Sequence, residues 1–222
     1  MSADVSTPVE STFIFFESMA VNAHKFRPND YKVDDVSYPT TGFYELDNPL
    51  KMRTIVSDVV DGSVDLQKAF QHYIALCSHS NFELVGYSEG AWVVDYWLHF
   101  YQSEAYKYVK AIMLYGDPNW YETYGHDVFG SVVAYQGLSR IAGLTFGWYG
   151  PPYPKPNTRY AVQTVCIPKD PVCGKGFVDT IAEHAVQFAT AAGCLITGCP
   201  HLDYVPDGYT LRGAKFLAER AF

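Results

Sequence analysis

The sequence predicts a three-layer α/β fold, with a mainly parallel central sheet and helices on both faces. Three observations carry this. Short apolar strand-like runs alternate with longer helical periods, the pattern of parallel strands joined by helical crossovers. The length of 222 residues suits one domain of that kind, 1–222. Apolar residues make up 48% and charged residues 18%, near globular averages, which excludes disorder for the chain as a whole.

The elements follow in order. Thr12-Phe-Ile-Phe-Phe-Glu17 reads as a buried first strand. Residues 18–34 are polar and loop-like, with Pro28, Asn29 and Asp30. Asp35-Val-Ser-Tyr-Pro39 predicts a short strand ended by proline. Residues 40–62 are rich in turn formers. Ser63 is a good N-cap for a helix from Val64 to Ser78, with Leu66, Ala69, Phe70, Tyr73, Ile74 and Cys77 on one face. Phe82-Glu-Leu-Val85 predicts a strand, about Ala91 to Tyr101 an apolar helix, and Val109–Tyr115 another strand closed by Gly116-Asp-Pro118. Residues 119–158 differ in texture. They are rich in Gly, Pro, Tyr and Trp, show no clean period, and read as an ordered surface insertion. Tyr160–Cys166 predicts the next strand, with helices at about Val178–Ala191 and Leu211–Ala221.

Chemistry concentrates at Gly86-Tyr87-Ser88-Glu89-Gly90, which fits G-x-S-x-G. An apolar strand precedes it and a helix follows. That context puts the serine on a strained corner with Oγ exposed, the nucleophile elbow of the α/β hydrolases. A side chain at either flanking glycine would crowd the corner. The new helix also aims free N–H groups at the place where an oxyanion develops. A nucleophilic serine needs a base, and the base an orienting acid, in the chain order Ser, acid, His. Asp170, directly after a predicted strand, is the candidate acid, and His201, in Gly198-Cys-Pro-His201-Leu-Asp-Tyr204, the candidate base. The rival acid is Asp117, at the end of the preceding strand. The rival base is His184, which falls within a predicted helix.

Cys77 to Ser88, then Cys166-x-x-x-Asp170-x-x-Cys173, then Pro200-His201-Leu202-x-Tyr204 together resemble the cutinase-like serine esterases. Val36-Ser-Tyr-Pro39 is similar to that family's second-strand motif. The resemblance implies a cutinase-like α/β-hydrolase fold, catalytic Ser88, Asp170 and His201, and an oxyanion hole built on the backbone N–H of Glu89. Two departures stand out. Cutinases carry glutamine after the nucleophile, and here it is Glu89. Its carboxylate is expected to point away or be paired, because negative charge there opposes the transition state. Phe16-Glu17-Ser18 replaces an Arg-Gly-Ser type oxyanion loop, which leaves Ser18 as the second candidate donor. No cysteine precedes Cys77, so the family's disulfide at that position has no partner. The long stretch from Ser88 to Asp170 is similar to phage lysin B proteins, mycobacteriophage relatives of cutinase. Gly116-Asp-Pro118 and Gly137-Leu-Ser-Arg-Ile-Ala-Gly143 also resemble that group.

The resemblance implies hydrolysis of the mycolic acid–arabinogalactan ester of the mycobacterial envelope during host lysis. The alternatives are a cutinase or lipase acting on polyester or acylglycerol, and an inactive binding module on a hydrolase scaffold. Trp120, Tyr135, Phe146, Trp148 and Tyr149 in the insertion are candidates for an acyl-chain surface, against the plainer reading that they pack the insertion onto the sheet. A net charge of −8 with no basic cluster argues against nucleic acid as a partner. No apolar run is long enough to span a membrane. Met1 to Ser11 lacks the basic-then-apolar order of a secretory signal. The expected location is therefore the host cytoplasm and then the envelope for a phage lysin, and otherwise extracellular. Five cysteines leave at least one unpaired within the chain. The spacing of Cys166 and Cys173 allows a short disulfide loop, and no cysteine pairs have zinc-type spacing. No metal or cofactor is expected.

Overall fold

The computed structural model describes residues 18–27, 32–38, 40, 49–79, 81–119, 127–129, 161–167, 170–173 and 200–220. Its elements are α1 (residues 18–26), α2 (Pro49–Leu76), β1 (Phe82–Tyr87), α3 (Glu89–Tyr108), β2 (Val109–Tyr115), β3 (Asp127–Phe129), β4 (Ala161–Val165), a 3-10 turn (Pro200–Leu202) and α4 (Tyr209–Arg220). The strands form one sheet in the order β1-β2-β4-β3, and every pair is parallel. Tyr87 pairs with Tyr115, Tyr115 with Val165, and Phe129 with Val165. All four carboxyl ends therefore stand in one row, and the residues after that row form a common edge.

From Ala111 onward the period-2 alternation of β2 sorts its side chains between two cores, and a register shift after Val109 puts that residue with Ile112 and Leu114. Val109, Ile112 and Leu114 join Val162 and the apolar faces of α2 and α3. Ala111, Met113 and Tyr115 join Val165, Tyr204, Met19 of α1, and Ala214, Phe216 and Leu217 of α4. Helices thus cover both faces of the sheet, the three layers that the sequence predicts. On the α2 side, the Trp97 indole N–H donates to Gln67 Oε1 at 2.7 Å, and Phe70 lies edge-on to Trp97 at 5.0 Å. Among the described residues, no helix is long and apolar enough to cross a membrane.

Several local expectations are corrected. The polar stretch after residue 17 contains a helix, α1, which docks through Met19 and Ala23. α2 begins at Pro49, so most of the stretch read as turns is helical. Ile55, Val59, Leu66 and Phe70 keep one buried stripe through Gly62-Ser63. Ser63 is no N-cap, since its hydroxyl donates back to the Val60 carbonyl at 2.7 Å, as serine does inside helices. Residues 32–38 form no strand. The apolar helix after the elbow runs past Tyr101 to Tyr108, with non-helical angles at Tyr101, where the sequence places its end. A short strand, β3, lies within the region read as a loop. The predicted strand 12–17, the helix 178–191 and most of 119–158 lie outside the described residues, among them Trp120, Tyr135, Phe146, Trp148 and Tyr149.

Candidate active site

β1 delivers Ser88 to the shared edge. The serine has φ of 55°, in the left-handed region that a residue with a Cβ occupies only under constraint. Two contacts impose it. Its N–H donates to the Tyr115 carbonyl at 2.8 Å, while its own carbonyl accepts from Ala91 at 3.0 Å as α3 begins. The chain turns so tightly that a Cβ on Gly86 would lie 2.5 Å from the Ala91 Cα, which accounts for glycine before the serine. α3 starts at Glu89, so its free N–H groups and positive dipole end lie at the elbow.

His201 and Asp170 meet on the same edge. Asp170 follows β4, in a loop where a disulfide joins Cys166 and Cys173 with Cα atoms 5.8 Å apart. The Asp170 side chain is fully buried and His201 is 1% exposed. His201 Nδ1 lies 2.9 Å from Asp170 Oδ2. That oxygen also accepts from the Tyr204 hydroxyl at 2.6 Å, and Oδ1 accepts from the Val172 N–H at 2.8 Å. Burial pushes the Asp170 carboxyl up. The His201 charge and the hydrogen bonds from His201, Tyr204 and Val172 outweigh burial and hold the carboxyl below its ordinary range. Burial, then the Asp170 charge, push Tyr204 up, so its phenol stays a donor.

Residues beside the serine also grip the histidine. Tyr87 stacks on the imidazole, with centroids 5.1 Å apart and planes at 20°, and its hydroxyl donates to the His201 carbonyl at 2.7 Å. Gly116, directly after Tyr115, has φ of 59°, and a Cβ there would lie 2.6 Å from His201 Cε1. The residue before Ser88 and the residue after its backbone partner both touch the ring. His201 Nε2, the nitrogen not facing Asp170, is buried without a hydrogen-bond partner.

The structure thus brings Ser88, Asp170 and His201 to one edge. Asp117 is buried there too, but its Oδ1 accepts from the Asn119 N–H at 2.8 Å in the turn after β2, and the histidine pairs with Asp170. His184 lies outside the described residues. The Ser18 hydroxyl is 3.0 Å from that of Thr210 on α4 and accepts from Asn22 at 3.4 Å. Glu89 is 7% exposed, its Oε1 lacks a hydrogen-bond partner, and among the described residues no cation pairs with its carboxylate. Tyr87, Gly116 and Tyr204 stood in the motifs read from the sequence but were given no role there. Their signals were present as the second residue of the elbow motif, the first of Gly-Asp-Pro, and the tyrosine three residues after His201.

Parallel strands whose carboxyl ends carry a sharp serine turn and, beyond it, an acid–histidine pair are the architecture of the α/β hydrolases, and this chain has it. Within that class the chain belongs to the cutinase family, whose model matches residues 14–221. It is 26% identical over 162 residues to Carboxylesterase Culp1 of Mycobacterium tuberculosis, an alignment covering 72% of this chain and 56% of that relative. The Mycobacterium bovis protein of the same name matches equally. The chain thus spans little more than half the length of these curated relatives. Among solved structures it resembles the catalytic core domain of acetyl xylan esterase from Trichoderma reesei, with a TM-score of 0.55, 18% identity and 90% of each chain covered. An iodinated complex of acetyl xylan esterase gives 0.50 and 18%, over 86% of this chain and 88% of that one. These likenesses show the fold.

Proposed function

We propose that the chain is a serine carboxylic-ester hydrolase. The buried Asp170–His201 pair beside a serine at positive φ carries this reading. In it, Ser88 Oγ attacks the ester carbonyl while His201 Nε2 takes its proton. Asp170 fixes the Nδ1–H tautomer and stabilises the imidazolium. The backbone N–H of Glu89, at the start of α3, donates to the oxyanion. The imidazolium then protonates the departing alkoxide. Water, deprotonated by the same nitrogen, releases the acid and restores the serine. Ser88→Ala is expected to lower p-nitrophenyl butyrate hydrolysis by about 10⁶-fold, to background. Hydrolysis retained in that variant rejects the assignment, and failure of Ser88 to react with a fluorophosphonate probe favours the inactive binding module.

For the substrate we propose the ester joining mycolic acids to arabinogalactan, with action in the cell envelope. The lysin B-like stretch between Ser88 and Asp170 supports this, as does the similarity to carboxylesterases of mycobacteria. The second reading is a cutinase or lipase on polyester or acylglycerol. The Cys166–Cys173 disulfide favours it, since such bonds persist in oxidising compartments. Mycolic acid release from purified mycobacterial envelope decides between them. Release supports the first, while turnover of cutin or tributyrin without it supports the second.

A further inference from the structure

Directly behind the elbow lies a second polar cluster that the proposed chemistry does not use. Asp58 of α2 is 6% exposed and Glu89 of α3 is 7% exposed. Each has one buried carboxyl oxygen without a hydrogen-bond partner, Asp58 Oδ2 and Glu89 Oε1. The packing of α2 on α3 explains their proximity. A Cβ on Gly62 would lie 2.9 Å from Val93 Cγ2 and 3.0 Å from the Tyr38 ring. Asp58 stands one turn before Gly62, and Glu89 one turn before Val93. Tyr38 bridges the two helices, since its hydroxyl lies 3.4 Å from where a Cβ on Gly90 would stand.

Among the described residues, the titratable groups facing Glu89 are both acids, Asp58 from α2 and Tyr38 from residues 32–38. The Asp170 carboxylate at this end of the sheet is taken up by His201, Tyr204 and the Val172 N–H. Two buried carboxylates with no cation beside them among the described residues cannot both be ionised cheaply. Glu89 is the one whose own N–H belongs to the oxyanion hole of the esterase reading. A negative charge there would oppose the charge that develops on the substrate oxygen.

We propose that Glu89 is a positioning residue that works as an uncharged, proton-bearing carboxyl behind the oxyanion hole, held in that form by the buried Asp58, and that loss of its proton to solvent base slows acylation. The proposal rests on the esterase reading above. It explains how an acid stands where the resembled family has an amide, because a protonated glutamate has glutamine's shape and neutrality. Burial first, and then the Asp58 charge, push the Glu89 carboxyl up to about 8.

The test is the pH profile of kcat on p-nitrophenyl butyrate for the wild type, Glu89→Gln and Asp58→Asn, each corrected for the Ser88→Ala blank. Above pH 8 the wild type is expected to lose kcat by about tenfold per pH unit. Glu89→Gln is expected to lose that limb. Asp58→Asn is expected to move it to lower pH, since removing the neighbouring charge makes Glu89 easier to ionise. The infrared carbonyl band of a protonated carboxylic acid, read on the wild type, is expected to fade with the same midpoint. If Glu89→Gln does not fold, the Asp58→Asn shift and the infrared titration decide. An alkaline limb unchanged in Glu89→Gln, a limb unmoved or raised in Asp58→Asn, or absence of the carbonyl band overturns the proposal alone. Hydrolysis that survives Ser88→Ala overturns the esterase reading and this inference with it.

Discussion

Asp170 Oδ2 serves two donors at once, the His201 ring and the Tyr204 hydroxyl. Tyr204→Phe removes one of them and leaves the ring packing intact. A hydrogen bond to a charged group contributes about 1.5–3 kcal/mol, and only part of that bears on the imidazolium of the transition state. The expected result is a kcat about tenfold lower with KM unchanged, measured on a short-chain ester. Equal kcat in the two proteins would show that the Val172 N–H and the imidazole suffice to hold the acid. The sharp turn at Ser88 was legible because its whole device is contiguous: a strand, five motif residues and a helix. Asp170 and His201 were legible through order and flanking prolines. Tyr204 and Tyr87 were not assigned roles, because a hydroxyl's partner depends on tertiary contacts across the sheet edge. The burial of Glu89 was illegible for the same reason, since Asp58 lies in a stretch that reads locally as turns.

The loop after β4 is the element on which the acid depends. Among its described residues, the Asp170 N–H donates to the Ile167 carbonyl at 3.1 Å. The Cys166–Cys173 bond closes it, and the Tyr204 hydroxyl lies 3.5 Å from Cys173 Sγ. Replacing both cysteines by serine is expected to lower stability by about 2–3 kcal/mol, the chain-entropy value for so short a loop. It should also lower kcat, because Asp170 loses its brace. Urea unfolding and steady-state kinetics on the double variant read the two effects, and unchanged kcat would mean that the hydrogen bonds alone position the carboxyl. The strands β1, β2 and β4 and the helices α3 and α4 were legible from their periods. The start of α2 was hidden by Gly62-Ser63, which signals a break locally. Tertiary packing against Tyr38 and Val93 decides otherwise.

Across the whole molecule, the buried Asp170 couples folding to pH. Its folded value lies below the ordinary 3.8. The unfolded chain therefore takes up the proton first as pH falls. The stability Asp170 contributes is complete above the unfolded value and is lost as pH drops through the folded one. Wild type and Asp170→Asn are expected to differ most in urea stability near neutrality and to converge in acid. A difference independent of pH would contradict the shift. The layered plan was legible because alternating strands and helices leave few alternatives. The common finish of the strands was not, since pairing register is absent from the order of elements. That finish has its own consequence. With Tyr87, Tyr115, Val165 and Phe129 level, the spacing of the site is set by counting residues along hydrogen-bonded ladders. One residue inserted into β4 would displace the acid by about 3.3 Å and invert the strand's facing. The same insertion in the chain between β2 and β3 would be absorbed before the ladder begins. Tolerance to length change should therefore follow the ladder and not distance along the chain from the serine.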